Sequence, residues 1–86
     1  MMNVTIDCSR IRTRDDLHRT FSSALSFPSW YGNNLDALHD QLTAISGTIR
    51  LENWEIAEAN LGKYGVSAKK VLLHAALENE TLLVIL

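Results

Sequence analysis

Apolar positions recur along this chain in two rhythms, every second residue or every third to fourth, and the changes of rhythm mark its elements. Residues 3–8 alternate, with Val4, Ile6 and Cys8 on one side, as a half-buried strand does. Thr13 stands where a helix cap belongs, with an acid, Asp16, at the third helical position. Leu17, Phe21, Ala24 and Leu25 then follow at helical spacing. Ser26-Phe27-Pro28-Ser29 ends that helix, because the residue before a proline avoids the helical region. A second helix presents Leu35, Leu38, Leu42 and Ile45 on its apolar face and closes near Ser46-Gly47. Residues 48–52 alternate again as a short strand. Asn53 is placed to cap a third helix that turns Trp54, Ala57 and Leu61 inward and stops at Gly62. Lys63-Tyr64-Gly65 reads as a connector, and Ser67 as the cap of a fourth helix. That helix buries Ala68, Val71, Leu72 and Ala75 and turns Lys70, His74 and Glu78 outward. Asn79-Glu80 then turns the chain into an unbroken apolar run over residues 81–86.

Strand, two helices, strand, two helices, strand is an α/β order that right-handed crossovers fold into a parallel sheet. The last strand, apolar on both sides, predicts burial between helix layers. With 86 residues the chain has room for one domain, spanning 1–86.

The stretch from Ser29 to Thr43 carries more than packing requires. Trp30-Tyr31-Gly32 is an aromatic loop that breaks at a glycine, where a positive φ is expected. Asn33 or Asn34 then caps the second helix. Asp36, Asp40 and Thr43 form a second stripe beside the apolar one. Like charges four apart disfavour a helix by roughly 0.2–0.5 kcal/mol, and only Asp36 lies close enough to the helix N-terminus to recover some of that. A solvated face is the plain reading of such a stripe. Two large aromatics beside it favour a surface kept for a partner, with one of the pair in the core and burial of both left open.

Charge sharpens this picture. The net charge is −2, but residues 34–62 alone sum to −4 while the segments on either side each sum to +1. An acidic middle third favours a basic partner and speaks against direct contact with nucleic acid. The 47% hydrophobic content argues against disorder. Residues 1–10 lack the apolar segment of a secretory leader, and residues 81–86 are far too few to span a membrane. Cys8 is a lone cysteine, expected in the core, and fits a reducing cytoplasm. No phosphate loop, CxxC, HExxH or GxSxG occurs. His18, His39 and His74 share no metal-like spacing, so neither a cofactor nor catalysis is expected.

The aromatic pair, the glycine and the run Asn34-Leu35-Asp36-Ala37-Leu38, followed by Asp40, Leu42 and Thr43, resemble the barstar family of intracellular ribonuclease inhibitors. The likeness extends from Arg12 through Leu17-His18 and Leu51-Glu52 to the closing apolar strand. It implies a three-stranded parallel sheet packed by about four helices. It also implies a one-to-one complex in which the second helix and the loop before it plug the basic active site of a barnase-like nuclease. By this resemblance Asp40 reaches the cations that normally hold the RNA phosphate, Asp36 pairs with a neighbouring cation, and Trp30 packs on the nuclease. Asn34, Thr43 and Ala44 supply rim contacts. The chain departs from the family at His39 and Ile45, where aromatics are common. His74 falls at the family's acidic contact on the fourth helix, with Glu78 one turn on. These departures imply a different cognate nuclease or weaker binding, and they keep open a second reading: a regulatory interaction module with a non-nuclease partner.

Overall fold

The computed structural model describes residues 2–86. Its elements run β1 (Met2–Asp7), α1 (Arg14–Leu25), α2 (Leu35–Leu42), β2 (Gly47–Glu52), α3 (Trp54–Leu61), α4 (Lys63–Glu78) and β3 (Leu82–Ile85). The strands form one parallel sheet in the order β1-β2-β3. This is the α/β arrangement, β-α-α-β-α-α-β, that the apolar pattern predicts.

The register shows where the core lies. Met2, Gly47 and Leu82 stand side by side, as do Val4, Ile49 and Val84, and then Ile6 and Leu51. These rows face the helices, and Ile6, Ile49, Leu51 and Leu82 are buried with Leu17, Phe21, Leu38, Leu42, Trp54 and Leu72. The alternate rows, Asn3-Thr48-Leu83 and Thr5-Arg50-Ile85, point the other way. Asn3, Thr5 and Arg50 are exposed there, and Leu83 keeps 56% of its surface in solvent. Burial between two helix layers, expected for the last strand, is therefore overturned. Two crossovers of one hand that advance in one direction along a sheet put every helix on the same face. An apolar strand run does not by itself reveal this.

Helix ends differ from expectation at several points, each for a local reason. The capping box at the start of α1 is present: Thr13 Oγ1 accepts from the Asp16 amide at 3.1 Å, and Asp16 Oδ2 accepts from the Thr13 amide at 3.2 Å. The helix ends at Ser26, within the stretch expected to stop it, but through the left-handed conformation of Ser26 (φ 56°), whose amide bonds Ser22 O, rather than through the proline. Asn34 rather than Asn33 caps α2, its Oδ1 accepting from the Ala37 amide at 2.8 Å. Gly32 does not take the positive φ; Asn33 does, at 52°. A Cβ on Gly32 would sit 3.2 Å from Asn34 Nδ2, so an added methyl would press on the capping side chain.

The helix α2 also stops at Leu42, earlier than the apolar period suggests, and Asn79 holds the connection that follows. Its Nδ2 donates to Leu42 O at 3.0 Å and to Ile45 O at 2.7 Å. Asn53 makes no side-chain cap for α3. It donates instead to Asp7 Oδ1 at 3.1 Å, tying together the ends of β1 and β2. The helix α4 begins at Lys63, not Ser67, because the positive φ of Gly62 (62°) supplies the whole turn between α3 and α4. Gly65 then lets the two helices cross closely: a Cβ on it would lie 2.7 Å from Glu58 O. Cys8 is buried, as expected for a core residue, and burial raises its thiol to about 11.

Candidate functional site

The loop between α1 and α2 separates its two aromatics. A turn closed by the Tyr31 amide on Pro28 O (3.0 Å) sends Tyr31 inward, where it is 7% exposed and packs at a tilt against Phe27, ring centroids 4.8 Å apart. Trp30 is left 76% exposed, a large cost in apolar hydration for a residue with no packing role. One aromatic is core and the other is surface.

Beside Trp30 the outer face of α2 carries Asp36 and Asp40. Leu38 and Leu42, on its inner face, anchor the helix in the core. The Asp40 side chain is 82% exposed, and the ionisable group nearest to it among the described residues is the His39 imidazole, with Nδ1 3.8 Å away. Among the described residues no arginine or lysine lies within ion-pairing distance of Asp36, Asp40 or Glu78. Helix α4 packs against α2 and adds the third carboxylate of this face. His39 Nε2 bonds Glu78 Oε2 at 2.8 Å, so the two helices present Asp40, His39 and Glu78 together.

The remaining predicted residues are placed differently. Asn34 is engaged at both ends of its amide, accepting from the Ala37 amide and donating to Gly32 O at 3.2 Å. The Thr43 hydroxyl donates to Asp40 O at 2.9 Å, closing the last turn of α2. Ala44 is exposed on the rim, whereas Ile45 is half-buried against the core and held through its carbonyl by Asn79. His74 is exposed on α4, one turn before Glu78.

Behind the loop lies a group of residues that the linear pattern does not single out. His18 on α1 is 2% exposed yet polar. Its Nδ1 is 2.7 Å from the Tyr31 hydroxyl and its Nε2 is 2.6 Å from the Tyr64 hydroxyl. Burial holds the imidazole below its usual value of 6.5, opposed in part by Asp15, and so favours the neutral ring. Burial likewise raises both phenols, with Tyr64 pushing Tyr31 further and Arg14 opposing the shift on Tyr64. The Arg14 guanidinium lies 4.4 Å over the Tyr64 ring. A shallow groove of about 450 Å³ between α1 and the loop is lined by Asp15, Arg19, Ser22, Ser23 and Asn33; none of the three outward carboxylates lines it.

The fold is thus a one-sided parallel sheet whose helix layer turns an acidic face and a bare tryptophan to solvent. Residues 1–85 match the family model described as "Barstar (barnase inhibitor)", and the chain belongs to the barstar family. It is also similar to a protein of Bacillus subtilis (strain 168) named "Putative ribonuclease inhibitor YrdF". The two are 35% identical over 78 residues, which cover 87% of this chain and 86% of that protein.

Proposed function

We propose that this protein inhibits a barnase-like ribonuclease in a one-to-one complex within the cytoplasm, without itself catalysing a reaction. The observation that carries the reading is the Asp40 carboxylate, projected from a helix anchored in the core and left without an arginine or lysine partner among the described residues. A carboxylate so presented accepts charge-assisted, often bidentate bonds from a guanidinium, as the phosphate of a bound RNA would. Asp40 thus takes the place of that phosphate in the nuclease's basic cleft. Asp36 and Glu78 pair with cations at its border, and Trp30 supplies the apolar anchor that hot spots favour. An acidic face of this kind also speeds encounter with a basic enzyme at low salt. Membership of the barstar family and the name of the Bacillus relative support the class of partner.

Titrating the protein into a barnase-like enzyme and following RNA cleavage tests the reading. Cleavage is expected to fall in proportion and to vanish near equal amounts of the two. Undiminished cleavage across several such nucleases at low salt overturns it. A regulatory module with a non-nuclease partner is the second reading, favoured by His39, which is turned toward Glu78 of its own chain. Recovery of a non-nuclease in a pull-down with the wild-type chain, lost on Asp40→Ala, would decide for it.

A further inference from the structure

The loop from Pro28 to Asn34 has few ties of its own. Among the described residues, the side-chain hydrogen bond that links it to another element is that of Tyr31 to His18. Asn34 bonds only Gly32 and its own helix start. His18 in turn has its second nitrogen on Tyr64, so α1, the loop and α4 meet on one imidazole. A neutral ring has one N–H and one lone pair. One hydroxyl must therefore donate to the ring while the other accepts from it; either tautomer satisfies this, and the two bonds together fix the ring's orientation. The arrangement is fully satisfied, since no buried side-chain nitrogen or oxygen among the described residues lacks a partner.

We infer that His18 is a positioning residue for the partner-facing loop: through Tyr31 it sets the backbone that presents Trp30, and through Tyr64 its own ring is held from α4. This rests on the inhibitory reading of that loop, but the anchoring is a property of the free chain. Tyr31 and Trp30 are consecutive and point to opposite sides, so whatever holds the phenol inward also holds the indole outward. Apolar packing on Phe27 alone would leave the Tyr31 ring free to slide, whereas a bond to a fixed nitrogen sets its depth.

Tyr31→Phe keeps the ring and deletes the hydroxyl; Tyr64→Phe leaves the Tyr31 bond and frees the imidazole. Order parameters of the Trp30, Gly32 and Asn33 amides would be measured in the free protein, with Ile49 in β2 as reference, alongside affinity for an inhibited ribonuclease. In Tyr31→Phe the three loop amides are expected to become more mobile while Ile49 is unchanged. Affinity should fall about fivefold to tenfold, the equivalent of one hydrogen bond. Tyr64→Phe should give smaller changes of the same sign. Loop amides that stay as rigid as in the wild type, or an Ile49 that loosens equally, overturn the inference. So does a loosened loop with unaltered affinity. Should the wild-type chain bind no ribonuclease, the functional reading falls, and the amides alone decide whether His18 anchors the loop.

Discussion

His39 and Glu78, thirty-nine residues apart, are joined at 2.8 Å between Nε2 and Oε2, and the bond spans two helices that pack directly on one another. A carboxylate can only accept, so Nε2 carries the proton and Nδ1 is the nitrogen turned toward Asp40. The imidazole thus occupies the space between two outward carboxylates and fixes one of them. Removing it should release Glu78 without disturbing the core. We expect His39→Ala to change thermal stability by no more than about 1 kcal/mol, as for other exposed pairs. Its effect on ribonuclease affinity should disappear in a Glu78→Gln background, and a double-mutant cycle measures that coupling.

Asp40→Ala is expected to weaken ribonuclease binding more than any other single truncation on this face. The loss should be at least about 2 kcal/mol, the scale of a charge-assisted bond left unmade. Because Asp40 is exposed and its side chain supports nothing within the fold, the urea midpoint should not move. Thr43→Ala, which removes only a hydroxyl bonded to Asp40 O, should cost far less affinity. Inhibition titrations on both variants, with Glu58→Ala on a different helix as control, make the comparison.

Acid should destabilise the fold through His18. Its folded-state pKa lies below the ordinary 6.5, so between those two values the unfolded chain binds the extra proton. Stability is then complete above 6.5 and falls as pH drops below it. Asp7 and Asp16 are also depressed, chiefly by backbone hydrogen bonds, but their contribution is lost only as pH falls below the ordinary 3.8. Denaturant unfolding between about pH 7.5 and 5 should show the decline in the wild type. His18→Gln should be less stable at the upper end and show a shallower decline.

Gly47→Ala should be among the most damaging single-methyl changes. Gly47 opens β2 at φ 137°, a conformation L side chains rarely adopt, and a Cβ there would run into the backbone of Met2, its partner in β1. Backbone strain of this kind costs roughly 1–3 kcal/mol before the collision is counted. A lower urea midpoint at unchanged slope would record it. Gly62→Ala shares the positive φ but meets open space, so its penalty should be the smaller.

Much of this architecture is written in the periodicity. Leu17, Phe21 and Leu25 on α1, and Leu38 and Leu42 on α2, lie where their spacing puts them. The acidic stripe is visible because Asp36 and Asp40 break the local rule against like charges four apart. What stays hidden depends on partners distant in sequence. Asn79 looks like a turn residue, and only the fold brings Leu42 and Ile45 to its amide. His18 looks like one more polar helix residue until Tyr31 and Tyr64 close on it. Asn53, a good cap by residue type, is drawn off to Asp7. Nor does the order of Trp30 and Tyr31 say which is buried; the Pro28 turn and the available nitrogen on His18 decide that.

The bare side of the sheet has a practical consequence. Thr5 and Arg50 are neighbours in register, exposed, and turned away from the layer that carries α2. A dye, a surface linkage or a fusion joined at either position would load the molecule from behind, leaving its acidic front unobstructed.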